Sequence, residues 1–329
     1  MKILILNHKE VEELLTMKEC IEVMRDALAA LARGEFVQPL RTALVPRDSP
    51  GVMGLMPSYR SGADPVYGLK VVCVFPGNSA VGMDSHQGGV LLFSAETGEL
   101  LSLMDASAIT AIRTAAVSGV ATRLLAREDA GDLAIVGAGI QARTHLEAMA
   151  CVRNIRRARV ASRTVEGARR FAEEEAARGY PFPIEPVETV EAAVRGADII
   201  VTATSASTPV VSRDWVSPGA HLNVVGSSVP TTREVDTAAM VAASLFVDRR
   251  ESTLNEGGDY LFAARESGIG PDHIRAEIGE LLTGTKQGRT SPDEITLFKS
   301  LGLAVEDLAS ADYLRRKARD AGLGSWLEF

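Results

Sequence analysis

The stretch that most constrains the fold is Gly137-Ala138-Gly139-Ile140-Gln141-Ala142, which follows four apolar residues at 133–136. A strand that runs into a glycine turn and then a helix is the context of the G-x-G-x-x-A dinucleotide fingerprint. Gly137 permits the tight turn, Gly139 lets a pyrophosphate approach the backbone, and Ala142 lets helix and strand pack closely. The helix that opens near Gln141 presents its N-terminus to the phosphates. The sequence therefore predicts a dinucleotide site near the middle of the chain.

Composition excludes several other classes of function. The chain has 329 residues, enough for two domains, and a formal net charge of −8, which disfavours a nucleic-acid surface. No apolar run is expected to reach the length of a membrane span. The three cysteines Cys20, Cys73 and Cys151 form no C-x-x-C pair, which favours a reducing, cytoplasmic setting. Histidines and acids are not spaced as a ligand set, so no metal is expected.

After the fingerprint, short apolar runs alternate with helical spacing, and this predicts an α/β fold with a doubly wound parallel sheet. The expected strands lie at residues 133–136, 158–161, near 184, and at 199–204, 222–225 and 245–247, followed by helical and loop-like sequence over 252–300. Ligands bind beyond the carboxyl ends of such strands. Those ends are Gly137, Ser162, Thr204 and Gly226.

The sequence before the fingerprint predicts mixed helices and strands. The expected elements are a strand at 1–6, a helix at 11–32, irregular strand-like sequence at 37–60, a strand at 67–75, a hairpin of 90–93 with 100–104, and a helix at 106–121. A final helix at 303–320 has an apolar face that must be buried. We expect it to return to the N-terminal region.

Two basic residues stand in apolar surroundings. Lys70 lies in the β-branched strand at 67–75, where burial is costly unless the lysine has a partner or a task. The alternative is an edge-strand lysine that points to solvent. Arg113 is the only charge in the small-residue helix at 106–121, which favours a carboxylate or phosphate partner. The alternative is a structural ion pair with an acid elsewhere.

The end of the second strand indicates which nicotinamide cofactor binds. NAD enzymes place an acid about twenty residues past the fingerprint, but here the sequence is Ser162-Arg163-Thr164. Arg163 can pair with a 2′-phosphate and the two hydroxyls can donate to it, so NADP(H) is preferred over NAD(H). The alternative is a surface arginine at a strand end. Thr202 and Thr204 suit further cofactor contacts, although Ser/Thr-rich loops are common.

Several short stretches complete one pattern along the chain. They are Arg41, Leu55-Met56-Pro57, Lys70, Ser85-His86-Gln87, Arg113-Thr114-Ala115-Ala116, the fingerprint, Trp215-Val216-Ser217-Pro218-Gly219-Ala220-His221, Phe298-Lys299-Ser300-Leu301-Gly302 and Glu306-Asp307. In this order, they make the chain similar to the ornithine cyclodeaminase/mu-crystallin family. The resemblance covers nearly the whole sequence.

The resemblance implies a two-domain homodimer. Residues 116–302 would form a Rossmann-type NADP-binding domain, and residues 1–115 with 303–329 an α+β substrate-binding and dimerisation domain. It implies that Arg41, Lys70 and Arg113 surround the carboxylate and reacting carbon of a substrate. Further implied contacts are Met56 for substrate, and Ser85, Thr114 and Ser228 for cofactor. The substrate pocket is expected to include Met53, Met56 and Tyr59. His86 is either near the nicotinamide or a solvated loop residue.

Two departures from the family pattern indicate which reaction to expect. Cyclodeaminases resemble Gly-Gly-Asp-Cys-Pro where this chain has Gly226-Ser227-Ser228-Val229-Pro230, so their catalytic aspartate falls on Ser228. They also have a glutamate before Leu-Met-Pro, at the position of Gly54. Because both acids are absent, the chain resembles the NADPH-dependent ketimine reductases of the family. Cyclic ketimines such as pyrroline- or piperideine-2-carboxylate are the expected substrates.

The expected mechanism is reduction of an imine that bears an α-carboxylate. Arg41 and Arg113 would hold the carboxylate, Lys70 would supply a proton or polarise the carboxylate, and Ser228 would orient the nitrogen or a water. Three alternatives stay open: an amino-acid dehydrogenase or opine-type reductive aminase acting on an oxo acid, an ornithine cyclodeaminase, and a crystallin-like protein that binds NADPH without turnover.

Overall fold

The computed structural model describes residues 2–328, with the side chains at positions 79 and 80 excepted. The chain forms two compact units. Unit 1 comprises Met1–Arg113 and Leu303–Phe329, and unit 2 comprises Thr114–Gly302. The chain therefore leaves unit 1 after Arg113, within a helix, and re-enters it at Leu303.

Over residues 2–125, up to and across this division, the chain forms three α-helices, one 3-10 helix and seven strands. The elements are β1 (Lys2–Leu6), α1 (His8–Leu14), α2 (Met17–Ala32), β2 (Phe36–Val37), β3 (Thr42–Leu44), β4 (Val52–Arg60), β5 (Val66–Val74), a 3-10 helix (Pro76–Val81), β6 (His86–Ser94), β7 (Leu100–Asp105) and α3 (Ala106–Leu125). The prediction of one helix at 11–32 is wrong, because Thr16 begins a second helix. Its hydroxyl accepts from the Glu19 backbone N–H in a capping box, which stops α1 and starts α2.

Unit 2 continues as alternating strands and helices. The elements are β8 (Asp132–Val136), α4 (Ile140–Val152), β9 (Arg157–Ala161), α5 (Val165–Ala176), β10 (Ile184–Pro186), α6 (Val190–Val194), β11 (Ile199–Thr202), a 3-10 helix (Arg213–Trp215), β12 (His221–Val224), α7 (Thr237–Ala242), β13 (Ser244–Val247), α8 (Arg250–Glu256), α9 (Gly258–Ser267), a 3-10 helix (Pro271–His273), β14 (Ile274–Glu277), α10 (Ile278–Leu282) and β15 (Thr296–Lys299). Back in unit 1, α11 (Ala304–Ala321) and β16 (Ser325–Glu328) close the chain.

The sheet of unit 2 has the order β10-β9-β8-β11-β12-β15-β13-β14. Each neighbouring pair is parallel, which confirms the α/β fold with a doubly wound parallel sheet. The expectation that the strand near 245 is the last is wrong. β15 lies in the middle of the sheet and all four of its residues are buried. A strand of four residues that ends in a lysine lacks the apolar run by which buried strands are recognised.

The sheet of unit 1 has the order β16-β1-β7-β6-β5-β4-β2, with β3 also paired to β4. β5 is an inner strand, because β4 and β6 flank it in antiparallel register. α11 packs on β4, β5 and β6, and β16 pairs with β1. The expected return of the final helix to the N-terminal region is therefore confirmed.

α3 differs from expectation in its length and hydropathy. Among the described residues, α3 is the one helix whose length and apolar composition would be sufficient to span a membrane. In the structure, 78% of its most apolar 18 residues are buried inside the protein. The prediction that no apolar run reaches this length is therefore wrong. Asp105 caps the helix by accepting from the Ala108 backbone N–H at 2.8 Å.

Candidate functional site

Lys70 lies near the middle of β5 with its ammonium group buried. The side chain is 3% exposed, and Nζ lies 2.9 Å from Asp307 Oδ2. Nζ also donates to Thr110 Oγ1 at 3.3 Å. The alternative of an edge-strand lysine facing solvent is wrong, because strands flank β5 on both sides. The lysine has a partner, as its cost of burial requires.

Arg113, on α3, pairs with two acids in the first turn of α11. Its Nη1 lies 2.6 Å from Glu306 Oε2 and its Nε lies 3.0 Å from Asp307 Oδ1. In this structure Arg113 therefore forms the structural ion pair that the sequence analysis gave as the alternative. Asp307 bridges Lys70 and Arg113, and we call Lys70, Arg113, Glu306 and Asp307 the ion-pair cluster.

The surroundings of Lys70 bring its titration close to neutral pH. Burial, followed by the charge of Arg113, lowers the pKa of Lys70 from 10.5 to about 8. Asp307 acts in the opposite direction, and the charge of Arg41 adds to the lowering. Arg41, in the segment between β2 and β3, is thus within electrostatic reach of Lys70. A lysine with such a pKa can exchange a proton at physiological pH.

Met56 lies directly opposite Lys70 in the pairing of β4 with β5, so both side chains project to the face that α11 covers. A side chain at position 54, where this chain has glycine, would project to the same face. Met53 and Tyr59 project to the other face, because side chains alternate along a strand. The expected pocket of Met53, Met56 and Tyr59 is therefore wrong, and only Met56 shares a face with Lys70.

The loop before β6 is fastened to the start of α3. The Ser107 hydroxyl donates to Asp84, and Asp84 Oδ1 accepts from the His86 backbone N–H at 3.2 Å. The Ser85 hydroxyl bonds to His86 Nδ1 at 3.0 Å. Asp84 and Ser107 thus order the segment that contains Ser85, whose contact with cofactor stays a prediction.

In unit 2, the fingerprint residues have the geometry that a dinucleotide needs. Gly137 has φ +121°, and a Cβ there would lie 2.4 Å from the Ala203 carbonyl oxygen. Gly139 begins α4 without a side-chain cap, and a Cβ on it would meet no atom within 4 Å. Open space over uncapped backbone N–H groups fits a pyrophosphate. Ala142 is fully buried against the sheet.

The end of β9 presents Arg163 to solvent. Thr164 begins α5, with its hydroxyl accepting from the Gly167 backbone N–H, and the Ser162 hydroxyl donates to the Thr164 carbonyl at 2.7 Å. Arg163 is exposed, and within residues 2–328 no carboxylate forms an ion pair with it. The guanidinium is therefore available to an anion next to a helix N-terminus.

The ends of β11 and β12 meet at Glu234, a residue that the sequence patterns did not indicate. The hydroxyls of Thr202 and Thr204 donate to its carboxylate at 2.7 and 2.8 Å. Thr202 is fully buried, so its hydroxyl serves this bond, and the predicted hydroxyl contact with cofactor is wrong for Thr202. Ser228, just beyond β12, is half-buried, and Thr114 is buried on α3.

The sequence patterns also did not indicate that Glu306 and Asp307 form ion pairs with Lys70 and Arg113. Both belong to the matched family pattern, but only the fold brings the first turn of α11 to Lys70 and Arg113. Acidic residues at the start of a helix were the available signal. His221 is buried and bonded to Thr296 Oγ1 at 2.9 Å, as a structural histidine would be. No group of three or more potential metal ligands occurs in the described part of the chain.

Comparisons with known proteins find matches over most of the chain. The sequence matches the model of the ornithine cyclodeaminase/mu-crystallin family over residues 1–322. It is 40% identical to a Delta(1)-pyrroline-2-carboxylate reductase of Bacillus cereus, covering 99% of this chain and 100% of that protein. It is also 40% identical to ketimine reductase mu-crystallin of Mus musculus, covering 88% and 89%.

A solved structure gives the same result for the fold. Thermococcus litoralis Delta(1)-pyrroline-2-carboxylate reductase, in complex with NADH and L-proline, superimposes with a TM-score of 0.95. The two sequences are 40% identical, and the match covers 98% of this chain and 99% of that chain.

Proposed function

The chain belongs to the ornithine cyclodeaminase/mu-crystallin family, and we propose that it is an NADPH-dependent reductase of cyclic imines that bear an α-carboxylate. Pyrroline-2-carboxylate and piperideine-2-carboxylate are the proposed substrates, and the cyclic amino acids are the products. The observation that supports this best is the buried Lys70, whose Nζ lies 2.9 Å from Asp307 Oδ2 beside Arg113. Burial and the charge of Arg113 lower its pKa to about 8. Relatives named for reduction of such imines support the same reaction.

Binding of the substrate falls to the basic residues of unit 1. Arg41 and Arg113 are proposed to hold the α-carboxylate, since hydrogen bonds between a guanidinium and a carboxylate are charge-assisted. Fixing the carboxylate also fixes the plane of the adjacent C=N bond. Met56, which shares a face with Lys70, is proposed to contact the apolar ring.

Proton supply is proposed for Lys70. When bound, NAD(P)H supplies a hydride for the imine carbon, and the nitrogen must gain a proton for the amine to form. The ammonium group of Lys70 is proposed to give this proton and to recover one from solvent after product leaves. Ser228 is proposed to orient the nitrogen through its hydroxyl. The missing acids at Gly54 and Ser228 disfavour deamination of ornithine.

The preference for NADPH is proposed from Arg163. It is exposed beside the N-terminus of α5, where an NAD enzyme would place an acid. Gly137, Gly139, Ile140 and Gln141 would hold the pyrophosphate, and Ala142 would keep α4 close to the sheet. Ser162 and Thr164 would support the 2′-phosphate, and Thr204 the remainder of the dinucleotide. The solved relative is in complex with NADH, and the comparison of NADPH with NADH described below tests the preference.

We also propose a homodimer. On the face of the unit 1 sheet away from α11, the apolar side chains of Met53, Tyr67 and Leu103 are 37%, 50% and 38% exposed. Leu69 and Leu91 project to the same face between them. A continuous apolar sheet face of this kind is typical of an interface, and a second copy of the chain would cover it.

One experiment separates the candidate activities. Purified protein is given NADPH or NADH with pyrroline-2-carboxylate, piperideine-2-carboxylate or pyruvate plus ammonia, and the loss of reduced-nicotinamide absorbance is followed. Ornithine is tested separately by ammonia release, because its cyclodeamination consumes no net NADPH. We expect turnover with the two cyclic imines and faster turnover with NADPH. Lys70→Met, which keeps the side-chain length but removes the ammonium, is expected to lose about 100-fold or more in kcat. Turnover confined to pyruvate plus ammonia, or none, would overturn the proposal.

A further inference from the structure

Three buried charged residues join the strand ends of unit 2. Glu234, in the loop between β12 and α7, and Lys299, at the end of β15, are fully buried, and Asp259, on α9, is 2% exposed. We call these residues the strand-end clamp. None of them belongs to the substrate or cofactor contacts proposed above, so their charges need another explanation.

The Glu234 carboxylate accepts four hydrogen bonds from two strand ends. Oε2 accepts from the Thr202 hydroxyl at 2.7 Å and from the Gly226 backbone N–H at 2.6 Å. Oε1 accepts from the Thr204 backbone N–H at 2.7 Å and from the Thr204 hydroxyl at 2.8 Å. One side chain thus ties the segment after β11 to the segment after β12.

Asp259 and Lys299 extend this link to a third segment. Asp259 Oδ1 accepts from the Glu234 backbone N–H at 2.7 Å, and Asp259 Oδ2 lies 3.0 Å from Lys299 Nζ. Lys299 Nζ donates to the Ser227 carbonyl at 2.5 Å, next to Ser228. The clamp therefore fixes the backbone on both sides of Gly226 and immediately before Ser228.

The segments after β11 and β12 are in close van der Waals contact at Gly226. A Cβ on Gly226 would lie 2.2 Å from the Thr204 carbonyl oxygen and 2.5 Å from Glu234 Oε1. The neighbouring segment also touches the fingerprint, because Gly137 approaches the Ala203 carbonyl in the same way. The ends of β8, β11 and β12 are therefore fastened in one arrangement at the edge where dinucleotides bind.

We propose that Glu234, through the strand-end clamp, is a positioning residue that holds the cofactor-facing loops after β11 and β12 in the geometry that binds the nicotinamide half of the dinucleotide. A buried apolar cluster would stabilise the fold as well as buried charges do. A carboxylate with four directed acceptor bonds additionally sets the orientation of two backbone N–H groups. The inference rests on the dinucleotide part of the proposed function.

The test compares two acids of the same loop. Glu234→Gln removes the charge and replaces one acceptor oxygen with a donor. Asp236→Asn is the matched control, because Asp236 also accepts several bonds, but from Ala239 at the start of α7 and from Ser212 and Arg213. Dissociation constants for NADPH and NADH are measured from the fluorescence of the bound reduced nicotinamide, well below each variant's melting temperature.

We expect Glu234→Gln to raise the Kd of both cofactors by about tenfold or more, as loss of charge-assisted bonds implies. Asp236→Asn is expected to lower the melting temperature and to leave both Kd values within about twofold of wild type. Wild-type Kd values in Glu234→Gln, or an equal rise of Kd in Asp236→Asn, would overturn this inference and leave the proposed function standing. Wild-type protein that binds neither nucleotide would overturn the proposed function as well.

Measuring the cofactor Kd over a range of pH gives a second test, because a purely structural role of Glu234 would leave the Kd independent of its protonation. Burial raises the pKa of Glu234, and the facing charges are Lys299, which opposes the rise, and Asp259, which adds to it. A protonated carboxyl must donate one hydrogen, so one of its four donors loses its acceptor. The wild-type Kd is expected to rise as the pH falls, with a flatter profile in Glu234→Gln.

If Glu234→Gln does not fold, Thr202→Val keeps the inference testable. It removes one buried donor to the carboxylate while preserving shape. We expect a smaller rise of Kd in the same direction, and an unchanged Kd would contradict the role of the clamp.

Discussion

At the scale of single residues, the chemistry of unit 1 depends on how Lys70 is charged. Burial and the nearby arginines lower the pKa of Lys70, whereas Asp307 raises it. The balance leaves the ammonium group ready to give up a proton near neutral pH. Asp307 contacts Lys70 and Arg113 at once, and its negative charge opposes the lowering of the pKa.

Replacing Asp307 by Asn should therefore change the pH dependence of turnover. Without that negative charge, Asp307 no longer opposes the lowering by burial and by the two arginines, so the pKa of Lys70 falls below about 8. Because the protonated form is proposed to act, activity is lost as the pH rises through this pKa. We expect the high-pH limb of kcat/KM to move down by about one pH unit or more.

Asp312→Asn is the control for this shift. Asp312 is a buried acid on the same helix, but it pairs with Arg60. It should lose stability and keep the position of the high-pH limb. An unmoved limb in Asp307→Asn would contradict the proton role of Lys70.

Arg163 gives a second prediction at this scale. Arg163→Ala removes the one cation proposed for the 2′-phosphate, so the Kd for NADPH should rise by about 10- to 100-fold while that for NADH stays near wild type. Arg170→Ala, another exposed arginine on the adjoining helix, should change neither value. An equal rise in the Kd values for NADPH and NADH would show that Arg163 does not bind the 2′-phosphate.

At the scale of elements, the position of α11 on the sheet decides where the two acids of the ion-pair cluster lie. The helix approaches β5 at Gly68, where an added Cβ would lie 2.9 Å from Leu308 Cβ. Leu308 directly follows Asp307. A small displacement of the helix would therefore move the acids relative to Lys70.

Gly68→Ala tests this packing. The methyl group forces α11 away from β5, and we expect about 1–3 kcal/mol of lost stability with roughly a tenfold lower kcat. Gly77→Ala is the matched control, since a Cβ there meets no atom within 4 Å. Melting temperature and kcat are measured together, and a loss of stability with unchanged kcat would separate helix packing from catalysis.

Elements were predictable where their signals are local, and not where they depend on distant partners. The fingerprint strand, turn and helix followed from the ten residues 133–142, and α4 begins at Ile140 beside the expected Gln141. β15 escaped prediction because its burial comes from the neighbouring strands β12 and β13. The ion-pair cluster escaped for the same reason, since Asp307 is far from Lys70 and Arg113 along the chain.

At the scale of the whole molecule, the apolar sheet face of unit 1 predicts self-association. Light scattering coupled to size exclusion should give a mass near twice the 35.0 kDa of the chain. Tyr67→Lys with Leu103→Lys places charge on that face and should yield a monomer. Val241→Lys, at an apolar position of unit 2 with 40% exposure, should stay dimeric. A monomeric wild type would contradict the proposed dimer.

The discontinuity of unit 1 has a consequence for the order of events during synthesis. The ribosome makes Lys70 and Arg113 well before Glu306 and Asp307, and all of unit 2 emerges between them. Burying the two cations without those acids would leave uncompensated charge in the interior, which is strongly destabilising. Domains generally fold as units as they emerge. Unit 1 must therefore wait for α11, and the ion-pair cluster becomes complete only after residues 306 and 307 have been made.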